Sequence, residues 1–121
     1  MRQLISTGSP WETKVGYSRA VIVGDTIYIS GTAGEGPDVY AQTRAALATI
    51  EKVLTGNGFA LADVVQSRLA VADFEHWQDA ARAHGEVYGQ IRPAFSLVHA
   101  LPFVEDSILV EVEAVAVRTE E

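Results

Sequence analysis

The run Leu109-Val-Glu-Val-Glu-Ala-Val-Ala-Val117 reads as a β-strand, and it carries two carboxylates through an otherwise apolar segment. Side chains alternate along a strand, so Glu111 and Glu113 share one face while Val110, Val112, Ala114 and Ala116 fill the other. Val115 and Val117 continue the glutamate face, which is therefore expected to be partly buried as well. A buried carboxylate is costly without a partner. The pattern predicts a chemical role for one glutamate, an acid or base with a raised pKa in a cleft between subunits, and a structural ion pair for the other. The plainer alternative is an edge strand whose polar face lies in water.

Arg68 is the expected partner. It sits mid-strand in Ala62-Asp-Val-Val-Gln-Ser-Arg-Leu-Ala-Val-Ala72, with Gln66, Ala70 and Ala72 on its face and Val65, Leu69 and Val71 on the other. An arginine flanked by alanines is expected to be covered and to grip a carboxylate through its planar fork. The pairing with Glu111 or Glu113 would run across the sheet or across a subunit boundary.

The remaining chain alternates strand and helix signals. Residues 2–7 predict a short strand, and residues 18–24 and 26–31 predict a hairpin turning at Gly24-Asp25. A glycine-rich loop spans residues 31–37. Asp38 then predicts an N-cap for a helix bearing Val39, Thr43, Leu47, Ile50 and Leu54, ended by Gly56-Asn57-Gly58. Asp73 predicts the cap of a second helix with Phe74, Trp77, Ala81, His84 and Tyr88 on one face, ended by Gly89. Pro93 blocks further helix, and strands are expected at 94–100 and 107–118. The order predicts an α+β domain spanning residues 1–121: one mixed sheet, both helices on a single face. The opposite face is left bare, and oligomerisation is the natural way to bury it.

With 121 residues and 48% apolar composition the chain has one core and no disordered signature. It contains no cysteine, which removes disulfides, thiol catalysis and cysteine-based zinc sites. Its net charge is −7 and its basic residues are scattered singly, which argues against nucleic acid as a partner. No apolar run approaches the roughly 20 residues of a membrane span, and the N-terminus lacks the apolar core of a signal peptide. The expectation is a soluble cytoplasmic protein with no membrane partner.

Other candidates are weaker. Gly16-Tyr17-Ser18-Arg19-Ala20 superficially resembles a nucleophile elbow, but a strand follows where that motif needs a helix. Tyr17, at the end of a glycine-bearing loop, can bring a phenol to a pocket. Ser30-Gly31 closes a strand and can present backbone N–H groups to an oxyanion. The glycines of residues 31–36 fit neither a dinucleotide fingerprint nor a P-loop. His76, His84 and His99 share no ligand spacing, so no metal site is expected, and His84 on an apolar helix face is expected to be a satisfied core histidine.

Taken in order, several segments resemble the Rid family (reactive intermediate deaminases, also called the YjgF family). They are Gly16-Tyr-Ser-Arg-Ala-Val, Ile29-Ser-Gly31, Ala41-Gln-Thr43, Asp63-Val-Val65, Val71-Ala-Asp73, Arg92-Pro-Ala94 and Leu109-Val-Glu-Val-Glu-Ala-Val-Ala116. The resemblance implies a chorismate-mutase-like fold and a homotrimer with a central barrel and three intersubunit clefts. It implies hydrolysis of reactive enamines and imines to 2-keto acids and ammonia, with no cofactor. Tyr17, Ser30, Gly31 and Glu111 keep the family's pocket positions, Glu111 standing where the family glutamate holds the attacking water. The active type carries Arg-Pro-Ala-Arg-Ser, whose second arginine grips the substrate carboxylate; here that position is Phe95. Ala81 stands where the classical type has an asparagine. Phenylalanine offers neither charge nor donor. Two expectations follow: a hydrolase with a more apolar substrate, with Glu111 and Tyr17 catalytic and Ser30, Gly31, Phe95 and Arg68 binding; or a catalytically inactive trimer that holds a small ligand. Ribonuclease activity, described for some family members, is opposed by the acidic charge. Should another group bind a carboxylate, Arg19 and Arg92 are the first candidates.

Overall fold

The computed structural model describes residues 1–119. Strands β1 (Arg2–Ile5), β2 (Ala20–Val23) and β3 (Thr26–Thr32) precede helix α1 (Val39–Gly56). Strand β4 (Val64–Val71), helix α2 (Trp77–Tyr88), β5 (Ala94–His99) and β6 (Val110–Val117) complete the fold. One six-stranded sheet is ordered β1-β2-β3-β6-β4-β5. The β4–β5 pair is parallel and the other neighbours are antiparallel, so the last strand in sequence lies inside the sheet.

Local signals explain most of these elements. Gly24 takes φ +59° in the two-residue β2–β3 turn, a backbone region that penalises a Cβ. The Asp38 carboxylate accepts the Ala41 N–H at 2.8 Å, capping α1 as expected. At the other end Gly58 adopts φ +82° just beyond Asn57. Ala46, Leu47, Ile50, Val53 and Leu54 of α1 join Ile27, Ile29, Leu69, Val71, Val110, Val112, Ala114 and Ala116 of the sheet in one core.

Two readings need correction. Asp73 does not cap α2: a 3-10 turn over Phe74–His76 intervenes, and the Asp73 carboxylate meets His76 Nδ1 at 2.9 Å instead. The buried stripe of α2 is Ala80, Ala83, His84 and Tyr88, while Phe74 lies outside the helix and stacks on His99. In β4 the register shifts between Val64 and Gln66, turning Val65 outward and Val64 inward, while Ser67 faces inward in step with Leu69 and Val71. Ser67 Oγ there meets Nε2 of buried His84 at 2.9 Å, which makes His84 a satisfied core residue. Burial pushes the His84 imidazole down to about 4, so it is neutral near pH 7.

Both helices lie on one face. On the other, Leu4, Val23, Tyr28 and Val98 are exposed beside Gln66, Arg68, Ser96 and Glu113. The bare sheet face expected from the element order is present in the chain.

A buried side chain ties α1 to the segment before β6. Gln42 donates from Nε2 to the carbonyls of Gly36 and Ser107, at 3.1 and 2.9 Å, and its Oε1 accepts the Leu109 N–H at 2.9 Å. Gly36 allows the intervening loop to lie against α1, because a Cβ there would come within 2.7 Å of Ala41 Cβ. Replacing the amide leaves two carbonyls and an N–H without their partner. Gln42→Leu is expected to lower unfolding stability by about 3 kcal/mol, read by denaturant titration. A loss below about 0.5 kcal/mol would show that water replaces the amide fully.

Candidate active site

Glu111 and Glu113 share the face away from the helices, as alternation requires, but their surroundings differ. Glu113 stands opposite Arg68 and is exposed; Glu111 stands opposite Ala70 and is half-buried. The difference arises in β3. Ile29 pairs with Ala114 and Thr32 with Val112, so β3 spends three steps against two and bulges at Ser30-Gly31. The Glu111 carboxylate lies over the bulge at Gly31, where an added Cβ would come within 2.7 Å of Oε1. Only glycine leaves this space open.

Arg19, just before β2, holds the bulge in place. Its Nη1 donates to the Gly31 carbonyl and to Thr32 Oγ1, both at 2.9 Å, and Thr32 Oγ1 in turn donates to the Ser30 carbonyl at 2.8 Å. Tyr17 follows Gly16, whose φ of +88° turns the chain into the site, and its ring lies 6.0 Å from the Arg19 guanidinium carbon. Burial pushes the Glu111 carboxyl above the usual range; the Arg19 charge partly offsets this and the Glu113 charge adds to it. The group can therefore take up and release a proton closer to neutrality than an exposed glutamate.

These residues border a cleft of about 590 Å³. Trp11, Val15, Tyr17, Arg19, Gly31 and Glu111 line it together with the connection at Pro102, Phe103, Val104, Glu105 and Ile108. The structure thus brings Tyr17, Gly31 and Glu111 together as expected. Ser30 is adjacent but committed: its Oγ donates to the Ser18 carbonyl at 2.6 Å and its N–H to the Arg19 carbonyl at 3.0 Å. Its side chain borders a neighbouring hollow with Arg2, Leu4 and Val21.

Phe95 and Arg68 are not in this cleft. Phe95 pairs with inward-facing Ser67 and points to the helix side of edge strand β5, its ring 4.6 Å from that of His84. It lies on the opposite sheet face from Glu111 and two strands away, so the two can share a site only if they come from different chains. Arg68 is exposed and, among the described residues, makes no ion pair within 4.0 Å, although Glu113 is its cross-strand neighbour. The covered, paired arginine expected from the alanines is absent from the single chain. Arg68, Glu113, Gln66, Ser96 and Tyr28 instead line a separate hollow of about 310 Å³ on the bare face. Arg92 closes α2 in the left-handed region at φ +56°, its N–H on the Tyr88 carbonyl at 2.8 Å. No group of three His, Cys, Asp or Glu suited to a metal occurs among the described residues, and no helix among them is long and apolar enough to cross a membrane.

The sequence reading missed Trp11 and the wall at residues 102–108. The apolar Pro102-Phe103-Val104 in a polar connection was the available signal.

Comparisons with known proteins converge on one group. The family model described as endoribonuclease L-PSP matches residues 8–118. An uncharacterized protein of Streptomyces coelicolor is 33% identical over 122 residues, spanning 94% of this chain and 90% of its own. A Bos taurus protein named 2-iminobutanoate/2-iminopropanoate deaminase is 30% identical, spanning 98% of this chain and 91% of its own. The crystal structure of a YjgF/YER057c/UK114 family member from Mycobacterium tuberculosis superposes with a TM-score of 0.92 at 42% identity, covering 98% of this chain and 100% of that one.

Burying the Glu111 charge costs stability. Its native pKa lies above the unfolded value, so the native state binds more protons in the interval between them and stability falls as pH rises through that interval. Glu111→Gln is expected to raise stability at pH 7 by roughly 0.5–1 kcal/mol, kept small by solvent at the cleft mouth. The gain should vanish in acid, where the native glutamate is itself protonated. A loss of stability at pH 7 in denaturant titrations would show that Arg19 compensates the charge in full.

Proposed function

The chain belongs to the Rid/YjgF family, whose endoribonuclease L-PSP model covers residues 8–118, and from that premise we propose that it hydrolyses enamine or imine metabolites in a cleft completed between the subunits of a cytoplasmic homotrimer. The observation that carries this reading is Glu111, a half-buried carboxyl with a raised pKa, held over Gly31 beside Tyr17 and Arg19. The deaminase names of the mammalian relatives support the same chemistry.

The reaction needs a base and an acid in turn. The Glu111 carboxylate takes a proton from water as the water oxygen bonds to the imine carbon. The C=N electron pair moves to nitrogen, which takes up a proton from solvent. The carbinolamine then breaks its C–N bond as the Glu111 carboxyl returns its proton and the hydroxyl loses one, giving the carbonyl product and ammonia. In this reading the Tyr17 phenol, which borders the same cleft, orients the water or the nitrogen. A raised carboxyl pKa suits both halves of the cycle.

Phe95 favours a second reading, a catalytically inactive trimer that holds a small ligand in the same cleft, because the family's carboxylate anchor is missing there. A small 2-imino acid loses the positioning that such an anchor supplies. RNA is disfavoured as a substrate: the net charge is −7 and the cleft carries both Glu111 and Glu105.

Light scattering at micromolar concentration is expected to give about three times the 13.0 kDa chain mass, the trimer burying the bare sheet face. A folded monomer there would overturn the assembly and with it the shared cleft. In an enamine-hydrolysis assay, 2-aminoacrylate-type imines are expected to be poor substrates. Any imine turned over should show an acid limb above the usual carboxylate range, and Glu111→Gln should lower kcat by about 100-fold or more. Turnover insensitive to that substitution would remove Glu111 from the mechanism.

A further inference from the structure

We infer that Arg19 takes the carboxylate of the substrate, in place of the absent arginine at position 95, and that the substrate is a 2-imino monocarboxylic acid with a bulky apolar side chain. The inference rests on the imine-hydrolase reading and names the anchor and the substrate class of that site.

Three observations carry it. First, Arg19 is a fixed cation without a counter-ion: Nη1 is held by the Gly31 carbonyl and Thr32 Oγ1, and among the described residues no carboxylate lies within 4.0 Å of the guanidinium. Those same residues offer its remaining N–H groups no hydrogen-bond acceptor, which leaves an edge of the fork for a carboxylate entering the cleft. Glu111 borders the same cleft and lies over Gly31, whose carbonyl Arg19 holds, so a carboxylate bound at Arg19 brings its neighbouring carbon to the side of the cleft where Glu111 stands. Second, the walls that this chain gives the cleft include Trp11, Val15, Phe103 and Val104, and Trp11 and Val104 stand 44% and 82% exposed. Apolar groups held open around a cation and a carboxyl suit an aromatic or branched side chain. Third, Glu105 lies on the wall beside Val104 and repels a second carboxylate in the cleft, which selects against acidic side chains.

The test uses calorimetric titration of the intact protein with keto-acid product analogues. 2-Oxo-3-phenylpropanoate is expected to bind about tenfold or more tightly than 2-oxobutanoate, and about tenfold or more tightly than its own methyl ester. Arg19→Gln should weaken the phenyl acid by roughly 30-fold and leave the ester unchanged, with Arg19→Lys intermediate. Val104→Asp, at an exposed position, should weaken the phenyl acid and spare 2-oxobutanoate. If Arg19→Gln unfolds, the acid–ester comparison on the unaltered protein and the Arg19→Lys titration decide the matter. Equal affinity for acid and ester, or an equal loss of both in the variants, overturns the inference. Imines generated from phenylalanine, leucine and alanine by an amino-acid oxidase separate the two proposals. Arg19-dependent binding with no imine hydrolysed rejects the hydrolase and keeps the anchor. Hydrolysis with a kcat/KM unchanged in Arg19→Lys and Arg19→Gln keeps the hydrolase and rejects the anchor.

Discussion

The pairing of β6 on both of its edges governs this molecule. Held between β3 and β4, the strand cannot slip by one residue without turning Val110, Val112, Ala114 and Ala116 out of the core. Burial of those four side chains therefore fixes the direction of the two glutamates on the opposite face. A carboxylate that is expensive to bury is held in place by the apolar alternation on the other side of its own strand. The β3 bulge completes the arrangement by removing a side chain at Gly31 where Glu111 would otherwise be expelled.

The two faces of the sheet divide the work. The helix face supplies cohesion, with α1 and α2 covering an apolar surface and His84 kept neutral against Ser67. On the open face, Leu4, Val23, Tyr28 and Val98 stand uncovered. Apolar side chains gathered on one face in this way are the usual mark of an interaction surface. Phe95, on the helix side of an edge strand, and Glu111, on the open face, are kept apart by this division.

Alternation and turn chemistry were the legible parts of the sequence. They gave the β6 faces, the Gly24-Asp25 hairpin, the Asp38 cap and the one-sided helix layer, because each depends on residues within a few positions of one another. The failures share a different cause. The bulge at Val65 shifts the alternation of β4 by one residue, and no local signal announces it, so Val64 rather than Val65 reached the core. Asp73 has the chemistry of a cap, but the chain follows it with a 3-10 turn that moves the α2 stripe. The role of the wall at residues 102–108 depends on contacts across long sequence separations and could not be read from periodicity.

The bonds of Gln42 to Ser107 and Leu109 have an evolutionary consequence. They reach the cleft-lining segment only through its main chain, whose amides and carbonyls are common to nearly every residue type. The path of that segment is thus insulated from the identity of its side chains. Phe103, Val104 and Glu105 can diversify while the ladder of β6 begins at the same place. In a protein built this way a few exposed residues around the cleft can change with the scaffold and the Glu111 carboxyl left in place.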